Sequence, residues 1–430
     1  MNILLINPPN DNEIIGNDID VETENKGCFP PLGLMYLASA VGGVVEDYQL
    51  KFTDTFINPD VVGITAMTHT LIDVKKVIDE FKGKAKIFIG GPHATLYPKE
   101  TLALGADYVI QGEGEYQFSL AVNMLDKLPP KAIIKAEPIE NLNELKFPLR
   151  TNIDRYWSIT SLRPITTMMS SRGCPYQCSF CDRPAMGKKF RMRSPNNVVD
   201  EMEECVRMGI GEIFFYDDTF TVNRDRVIDI CGEIIKRGLK VKWDVRARVD
   251  TVDKELLRIM KKAGCDRIHF GVESASQKVL DTLQKGITIK EVVQAFSWAQ
   301  QNGMETLAYF MIGCPDETKE DRNDIIKLAK SLRPSFAKFN IFTPFPGTKI
   351  YQRWLERGNP DVWLAFAKTP EPSFKPPLWN ESEREELQEA QRKLYKQFYG
   401  RFSYICRKLV ATKSLGQFKR YAKAGLKILR

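Results

Sequence analysis

The sequence predicts an α/β protein: two successive strand–helix units, then a helical tail. Three observations carry that reading. Apolar runs of strand length alternate with amphipathic helical stretches over the first 130 residues. After a break rich in Pro, Asn and Glu the alternation restarts and runs for about six units. Near residue 361 the pattern changes again, to a proline-marked break followed by a helical and basic segment. Strands that are apolar throughout, separated by helices, belong in parallel sheets covered on both faces. The implied organisation is a Rossmann-like parallel-sheet domain over 1–130, a linker over 131–163, a partial (β/α)6 barrel over 164–360 and a C-terminal basic helical region over 361–430.

In the first unit NILLIN is a strand, followed by a polar loop over 10–26. PLGLMYLASAVGGV reads as a helix, VVGITAM as a buried strand, and LIDVKKVIDEFKG as an amphipathic helix closed by Gly83. KIFIGG and DYVIQGEGE are strands running into glycine turns, with TLALGA and YQFSLAVNMLDKL as helices. Ligands of such sheets sit at the carboxyl ends of the strands, so the loops at 65–70, 90–93 and 112–115 are the candidates. In the second unit ITTMMSS is a strand that ends just before a cysteine cluster. SPNNVVDEMEECVRMG follows as a helix with Ser194 as N-cap and Pro195 at its first position. EIFFYDD, KVKWDVRA, RIHFGVES, TLAYFMIG and FAKFNIFTP are the later strands, each separated by a helix. Right-handed crossovers curl such a series into a barrel whose chemistry lies at the carboxyl ends of its strands.

Composition narrows the class. The 430 residues are 43% hydrophobic and 27% charged, which suits a soluble chain with buried cores. No apolar run reaches the roughly 18–20 residues of a membrane span, and the start has no basic region of a secretion signal. The expected location is the cytoplasm. The net charge is +7, and much of the excess lies in the last fifty residues. Of nine cysteines, Cys28, Cys205, Cys231, Cys265, Cys314 and Cys406 are scattered, as small buried hydrophobes are. Cys174, Cys178 and Cys181 crowd into RGCPYQCSFC. Three thiolates in one loop can bind three irons of a cubane and leave the fourth open. The alternative, a zinc loop, wants a fourth ligand, and the next cysteine, Cys205, falls inside a helix.

The spacing C-x3-C-x2-C with Phe180 before the last cysteine resembles the radical SAM superfamily, over residues 165–351. That resemblance implies a [4Fe–4S] cluster on the three cysteines, which cleaves S-adenosylmethionine (SAM) with an electron from an external flavodoxin- or ferredoxin-type reductant. It also implies SAM contacts at Phe180 in the cysteine loop and then at successive strand ends: Asp217 and Asp218 in FFYDDTF, Arg246 and Arg248 in WDVRARVD, Glu273 and Ser274 in HFGVES, and Ile312 and Gly313 in YFMIGCPDET. Each has a bland alternative. The aspartates can cap the next helix, and Glu273 can pair with Arg246 or Arg248.

GGPHATLYPKE and VIQGEGEYQF, behind a sheet of this layout, resemble the cobalamin-binding domain of one branch of radical SAM enzymes. The contacts this implies are Thr65, Met67, Thr68, Gly90, Gly91, Pro92, His93, Gly112, Glu113 and Gly114. Glycines there would let a large ligand approach the backbone closely. The Asp-x-His-x-x-Gly pattern that places histidine beneath cobalt is absent. Around His69, Met67 stands for the Asp and Ile72 for the Gly. The expected state is base-off without a protein imidazole; the alternative is a domain that has lost cobalamin.

Together these imply methylation of an unactivated carbon of a small or lipidic substrate. Radical cyclisation, ring rearrangement or carbon–carbon coupling is the alternative, and a non-enzymatic iron–sulfur or cobalamin sensor a remoter one. From 404 to 430, Ile405, Leu409, Leu415, Phe418, Ala422, Leu426 and Leu429 follow helical spacing among basic residues with no acid. Such a helix can lie on the inner face of a membrane or cover the barrel. No reader motif accompanies the charge, which argues against nucleic acid.

Overall fold

The computed structural model describes residues 1–12, 27–50, 58–158, 160–161, 164–182, 186–412 and 418–422. Most of the polar loop at 10–26 therefore lies outside the described residues, as do Leu415, Leu426 and Leu429 of the tail.

The first unit is a six-stranded sheet of β1 (Ile3–Asn7), β2 (Val44–Asp47), β3 (Val61–Thr65), β4 (Lys86–Gly90), β5 (Tyr108–Gln111) and β6 (Ala132–Lys135). Their order is β2-β1-β3-β4-β5-β6, and every pair is parallel. Helices α1 (Leu32–Val41), α2 (Leu71–Phe81), α3 (Pro92–Leu96), α4 (Pro98–Ala103) and α5 (Gly114–Asn123) make the connections. The chain reverses its direction of travel between β1 and β3, so the crevice for a ligand opens at their carboxyl ends. Two details depart from the sequence reading. The helix expected to run to Val44 stops at Val41, because Gly42 takes φ +72° and Val44 begins β2. The sheet also draws β6 from the stretch read as linker.

The second unit is a parallel sheet of β7 (Ile165–Met168), β8 (Glu212–Phe215), β9 (Lys242–Ala247), β10 (Cys265–Glu273), β11 (Glu305–Ile312) and β12 (Phe336–Ile341), in sequential order with β7 and β12 at its edges. This is the expected partial barrel. Helices α6 (Pro195–Arg207), α7 (Arg224–Lys236), α8 (Lys254–Lys262), α9 (Gln277–Thr282), α10 (Ile289–Gln301) and α11 (Lys319–Leu332) follow its strands. Ser194 caps α6 by accepting from the Asn197 amide, with Pro195 at the first position. Thr288 and Thr318 form reciprocal capping boxes with Glu291 and Asp321. Phe215, Trp243, Phe270 and Phe296 fill the layer between strands and helices.

The remaining helices serve the two sheets. Helices α12 (Lys349–Glu356) and α13 (Val362–Lys368) bring Tyr351, Trp354, Trp363 and Phe366 into one core with Ile72, Ile78 and Ile89 of the first sheet's layer. The two units therefore share apolar packing. Helix α14 (Arg384–Tyr399) covers the open edge of β12. Tyr399 Oη accepts from Ala337 N at 3.0 Å and donates to Ala337 O at 2.8 Å, and Tyr395 Oη accepts from Phe339 N at 3.2 Å. An unpaired strand edge is thereby satisfied by phenols instead of a seventh strand. Helix α15 (Phe402–Ala411) turns Lys408 inward, while the exposed Arg407 reaches across to the loop before β12. Arg407 donates to Arg333 O and Pro334 O at 3.1 and 2.9 Å, and the Lys408 ammonium lies 3.6 Å from the Phe336 ring centroid. These charges close the amino-terminal mouth of the barrel, while Phe402 (82% exposed), Leu409 and Val410 (88%) face outward.

Candidate active site

The three cysteines lie on a lasso. Ser171 and Arg172 pair antiparallel with Met192 and Arg191, and the chain between carries Cys174, Cys178 and Cys181. Gly173 sits in the neck at φ +78°, where a Cβ would come within 2.3 Å of Lys189 O. The lasso is pinned at Ser179, whose N–H and hydroxyl both donate to Leu283 O at 2.9 Å and whose carbonyl accepts from Ile350 N at 3.0 Å. All nine cysteines are described and none is disulfide-bonded. Among the described residues no three Cys, His, Asp or Glu side chains converge on one metal-sized point. The donor set fits an iron–sulfur cluster: three thiols on one loop, two of them next to hydrogen-bonding groups. Thr219 Oγ1 stands 3.6 Å from Cys174 Sγ, and Arg248 Nη1 donates to Cys178 Sγ at 3.5 Å.

Arg248 is turned mostly to the protein. Four of its five N–H donors are engaged, by Asp250 (two bonds of 2.9 Å), Lys285 O (2.7 Å) and Cys178 Sγ, and its Cζ lies 3.9 Å from the Tyr176 ring centroid. It holds the lasso. Hydrogen bonds to cluster sulfurs raise the reduction potential. Arg248→Lys loses the fork that binds Asp250. It should keep its iron, lower the cluster potential in an EPR-monitored redox titration and slow SAM cleavage roughly 10–100-fold.

Asp217 also departs from its expected role. It is fully buried and accepts from Ser170 N at 2.7 Å, Ser170 Oγ at 2.6 Å and the Ser171 hydroxyl, so it anchors the start of the lasso. Nor does either aspartate cap α7, whose N-cap is Asn223. Asp218 is exposed at the same strand end. Glu273, at φ +67° beside a register shift in β10, pairs with Lys285 at 2.7 Å and not with either arginine. Lys285 in turn lies 5.7 Å from the ring centroid of Phe180. Gly271 makes room for that pair, since a Cβ there would meet Glu273 Oε1 at 2.4 Å. Ser274 is buried and accepts from Ser276 N at 3.2 Å. The Ile312 side chain is buried in the helix-side core and its carbonyl accepts from Phe342 N at 2.8 Å, while Gly313 packs against Leu387 and its N–H donates to Glu317 Oε1 at 2.9 Å. Arg246 is exposed on the opposite side of β9 from the core residues Val245 and Ala247, 4.6 Å from the Tyr216 ring centroid.

At the first sheet, the carboxyl ends of β3 and β4 carry Thr65, Met67 and Gly90. Met67 is 39% exposed, and a Cβ on Gly90 would meet nothing nearer than 3.9 Å. This open, glycine- and methionine-lined edge fits a large flat ligand, and His69 follows in the turn after Met67. Other expected contacts are turned to the protein. Gly91, at φ +99°, packs against Ala66 O and Thr65 Oγ1, both 3.0 Å from its notional Cβ, and Gly112 against Ala136 O at 3.1 Å. Pro92 starts α3, and Gly114 packs ordinarily against Leu37. His93 does not line the edge: it is fully buried and its Nδ1 lies 3.1 Å from Thr68 Oγ1. Burial lowers the pKa of His93 to about 4. Between pH 6.5 and 4 the unfolded chain binds the proton that the folded chain refuses, so stability present above pH 6.5 is lost as pH falls to 4, at up to about 1.4 kcal/mol per pH unit. His93→Asn should flatten that part of a plot of thermal midpoint against pH.

Glu113 is the largest surprise in this turn. It leaves the ligand edge and binds Arg172 at 2.8 Å and Arg191, while Glu115 binds Arg172 from the other side. Both arginines flank the cysteine lasso and neither was among the expected site residues. Arg172 does have a signal, its place two residues before Cys174. Arg191 and Lys285 have none.

Comparison with known proteins agrees with this division. The model of the Radical SAM superfamily matches residues 168–329, and that of the B12 binding domain matches residues 21–122. A Pyrococcus horikoshii protein named as an uncharacterized methyltransferase is 35% identical over 82% of this chain and 83% of its own. An anaerobic magnesium-protoporphyrin IX monomethyl ester cyclase of Cereibacter sphaeroides is 29% identical over 76% of this chain and 61% of its own. The solved structure of the radical SAM methyltransferase TsrM from Kitasatospora setae, with cobalamin and a [4Fe–4S] cluster bound, superposes with a TM-score of 0.67 at 17% identity, covering 83% of this chain and 75% of that one.

Proposed function

The chain belongs to the radical SAM enzymes that carry a B12 binding domain, and on that premise we propose that it methylates an unactivated carbon of a small or lipidic substrate. One observation carries the proposal furthest: the cysteine lasso at the carboxyl end of β7 meets the strand-end turn of the first sheet directly, through Glu113, Arg172 and Arg191. A methyl donor and a hydrogen-abstracting centre must act on one carbon, which requires their two sites to face one cavity.

When bound, the cluster supplies the electron that cleaves SAM, and cobalamin supplies a transferable methyl group. The chain's own contributions are distinct. Cys174, Cys178 and Cys181 hold the cluster, Arg248 and Asp217 fix the loop that bears them, and Phe180 closes it against Lys285. Arg246 and Asp218, at the ends of β9 and β8, and Ile312 and Gly313, at the end of β11, would orient SAM. Thr65, Met67 and Gly90 line the cobalamin edge, and the absence of the Asp-x-His-x-x-Gly pattern around His69 supports a base-off state. The reductant is a flavodoxin- or ferredoxin-type protein. Exposed Cys181 and Lys188 offer a basic approach on the lasso itself.

Reduced protein given SAM labelled in its methyl group and an extract of small molecules and lipids should place the label on carbon in a product heavier by one methyl. The likeness to the cyclase favours ring closure as the second reading. An unlabelled product that has lost hydrogen, with SAM consumed, would establish that reading instead.

No helix among the described residues is long and apolar enough to cross a membrane. The outward stripe of Phe402, Ile405, Leu409 and Val410, in a tail with no acidic residue after 401, supports peripheral contact with an anionic bilayer. Full-length protein should float with anionic liposomes and protein truncated after Tyr399 should not; equal behaviour of the two would rule the contact out.

A further inference from the structure

Glu113 stands at the N-cap position of α5 but makes no capping bond. Its side chain is 1% exposed and points across to the barrel, where Arg172 and Arg191 are 3% and 2% exposed. Oε2 accepts from Arg172 Nη1 at 2.8 Å and from Ile139 N at 3.3 Å, and Oε1 accepts from Arg191 Nη2. Arg191 also donates to Ile139 O at 2.6 Å and Met186 O at 2.9 Å. Arg172 completes the set by binding Glu115 and lying 5.4 Å from the Tyr36 ring centroid. Two carboxylates and two guanidiniums thus neutralise each other in a dry junction.

The place of this junction matters more than its strength. Arg172 and Arg191 are cross-strand partners, the two-residue ladder that closes the cysteine lasso. Glu113 follows β5 of the sheet whose neighbouring strand ends form the cobalamin edge. A single carboxylate therefore grips both sides of the lasso's neck from the other cofactor's domain. Buried ion pairs contribute little net stability beside an apolar substitute, yet removing one partner strands the other charges and is strongly disruptive. Their value is geometric, because the fork of each arginine fixes direction as well as distance.

We propose that Glu113 is a positioning residue that fixes the cluster lasso relative to the cobalamin domain and so sets the separation between the two cofactors. This rests on the two-cofactor reading above. In Glu113→Gln one buried carboxylate is left to serve two guanidiniums, and the neck of the lasso gains freedom against the first sheet. Glu113→Asp keeps the charge but shortens the reach by one methylene.

The test uses full-length holoprotein purified without oxygen, with cob(II)alamin and the reduced cluster as its two spins. Pulsed EPR should give one narrow distance in the wild type. In Glu113→Gln it should give a longer and broader distribution at unchanged iron and cobalt content, with Glu113→Asp showing a smaller shift. Glu140→Gln, which removes only an exposed partner of Lys189 on the same lasso, should leave the distance unchanged. Should Glu113→Gln fail to fold, the Glu113→Asp shift decides alone. Unchanged distances in the cobalt- and iron-loaded Glu113 variants overturn the positioning role and leave the methylation reading intact. Wild-type protein that takes up iron but never cobalt overturns both.

Discussion

Alanine at any one of Cys174, Cys178 or Cys181 should abolish SAM cleavage. A cubane held by three thiolates has no spare ligand on the protein, so losing one leaves two irons anchored and two open. The next cysteine along the chain, Cys205, is fully buried within α6 and is no substitute. The effect should be visible as lost iron and sulfide and as no 5′-deoxyadenosine from reduced protein with SAM. Cys231→Ala is the matching control. Cys231 is fully buried in the helix-side core, where desolvation raises its thiol to about 12, so it acts as a small apolar side chain. Its replacement should lower stability slightly and leave the iron content unchanged.

The second large effect is expected from Gly173→Ala. The methyl would lie 2.3 Å from Lys189 O and 3.1 Å from Gly187 O. Both obstacles are backbone atoms of the opposite arm of the lasso, so no side chain can swing aside. The residue also sits at φ +78°, which costs a non-glycine about 1–2 kcal/mol before any clash. The neck must open, and the ladder between Arg172 and Arg191 with it. The variant should lose roughly 2–4 kcal/mol of stability by denaturant titration and most of its iron. Gly187→Ala, at φ +71° with nothing within 4 Å of its Cβ, should show only the backbone cost and keep its cluster. A similar loss in both variants would mean that left-handed backbone, and not the closed neck, is what glycine serves there.

How much of this was legible follows from what is local. The strands of both sheets could be read because parallel strands buried on two faces are apolar without interruption. The cysteine motif was legible because its three ligands share one loop. Short elements escaped: β2, four residues behind a glycine pair, and β6, a lone strand in a polar stretch, carry too little pattern. The glycine turns were half legible. Sequence showed that Gly91 and Gly112 must allow a close approach, and on one side of each the neighbour is the protein itself: Ala66 and Thr65 at Gly91, Ala136 at Gly112. Arg248 was visible at a strand end; that Asp250 and Cys178 would claim it was not. Glu113 and Arg172 are 59 residues apart, and no periodicity in either segment announces that their charges meet. Contacts between units arise from the fold as a whole, and they are the part of this site that had to be seen.

One chain holds a cluster and a corrin together. Metal analysis of protein purified without oxygen from cobalamin-replete cells tests it most directly. The account predicts about four irons with matching sulfide and about one cobalt per chain, the irons lost in Cys178→Ala while the cobalt stays. Four irons with no cobalt, even after reconstitution with cobalamin, would contradict it and leave the first sheet as a wall of the substrate cavity.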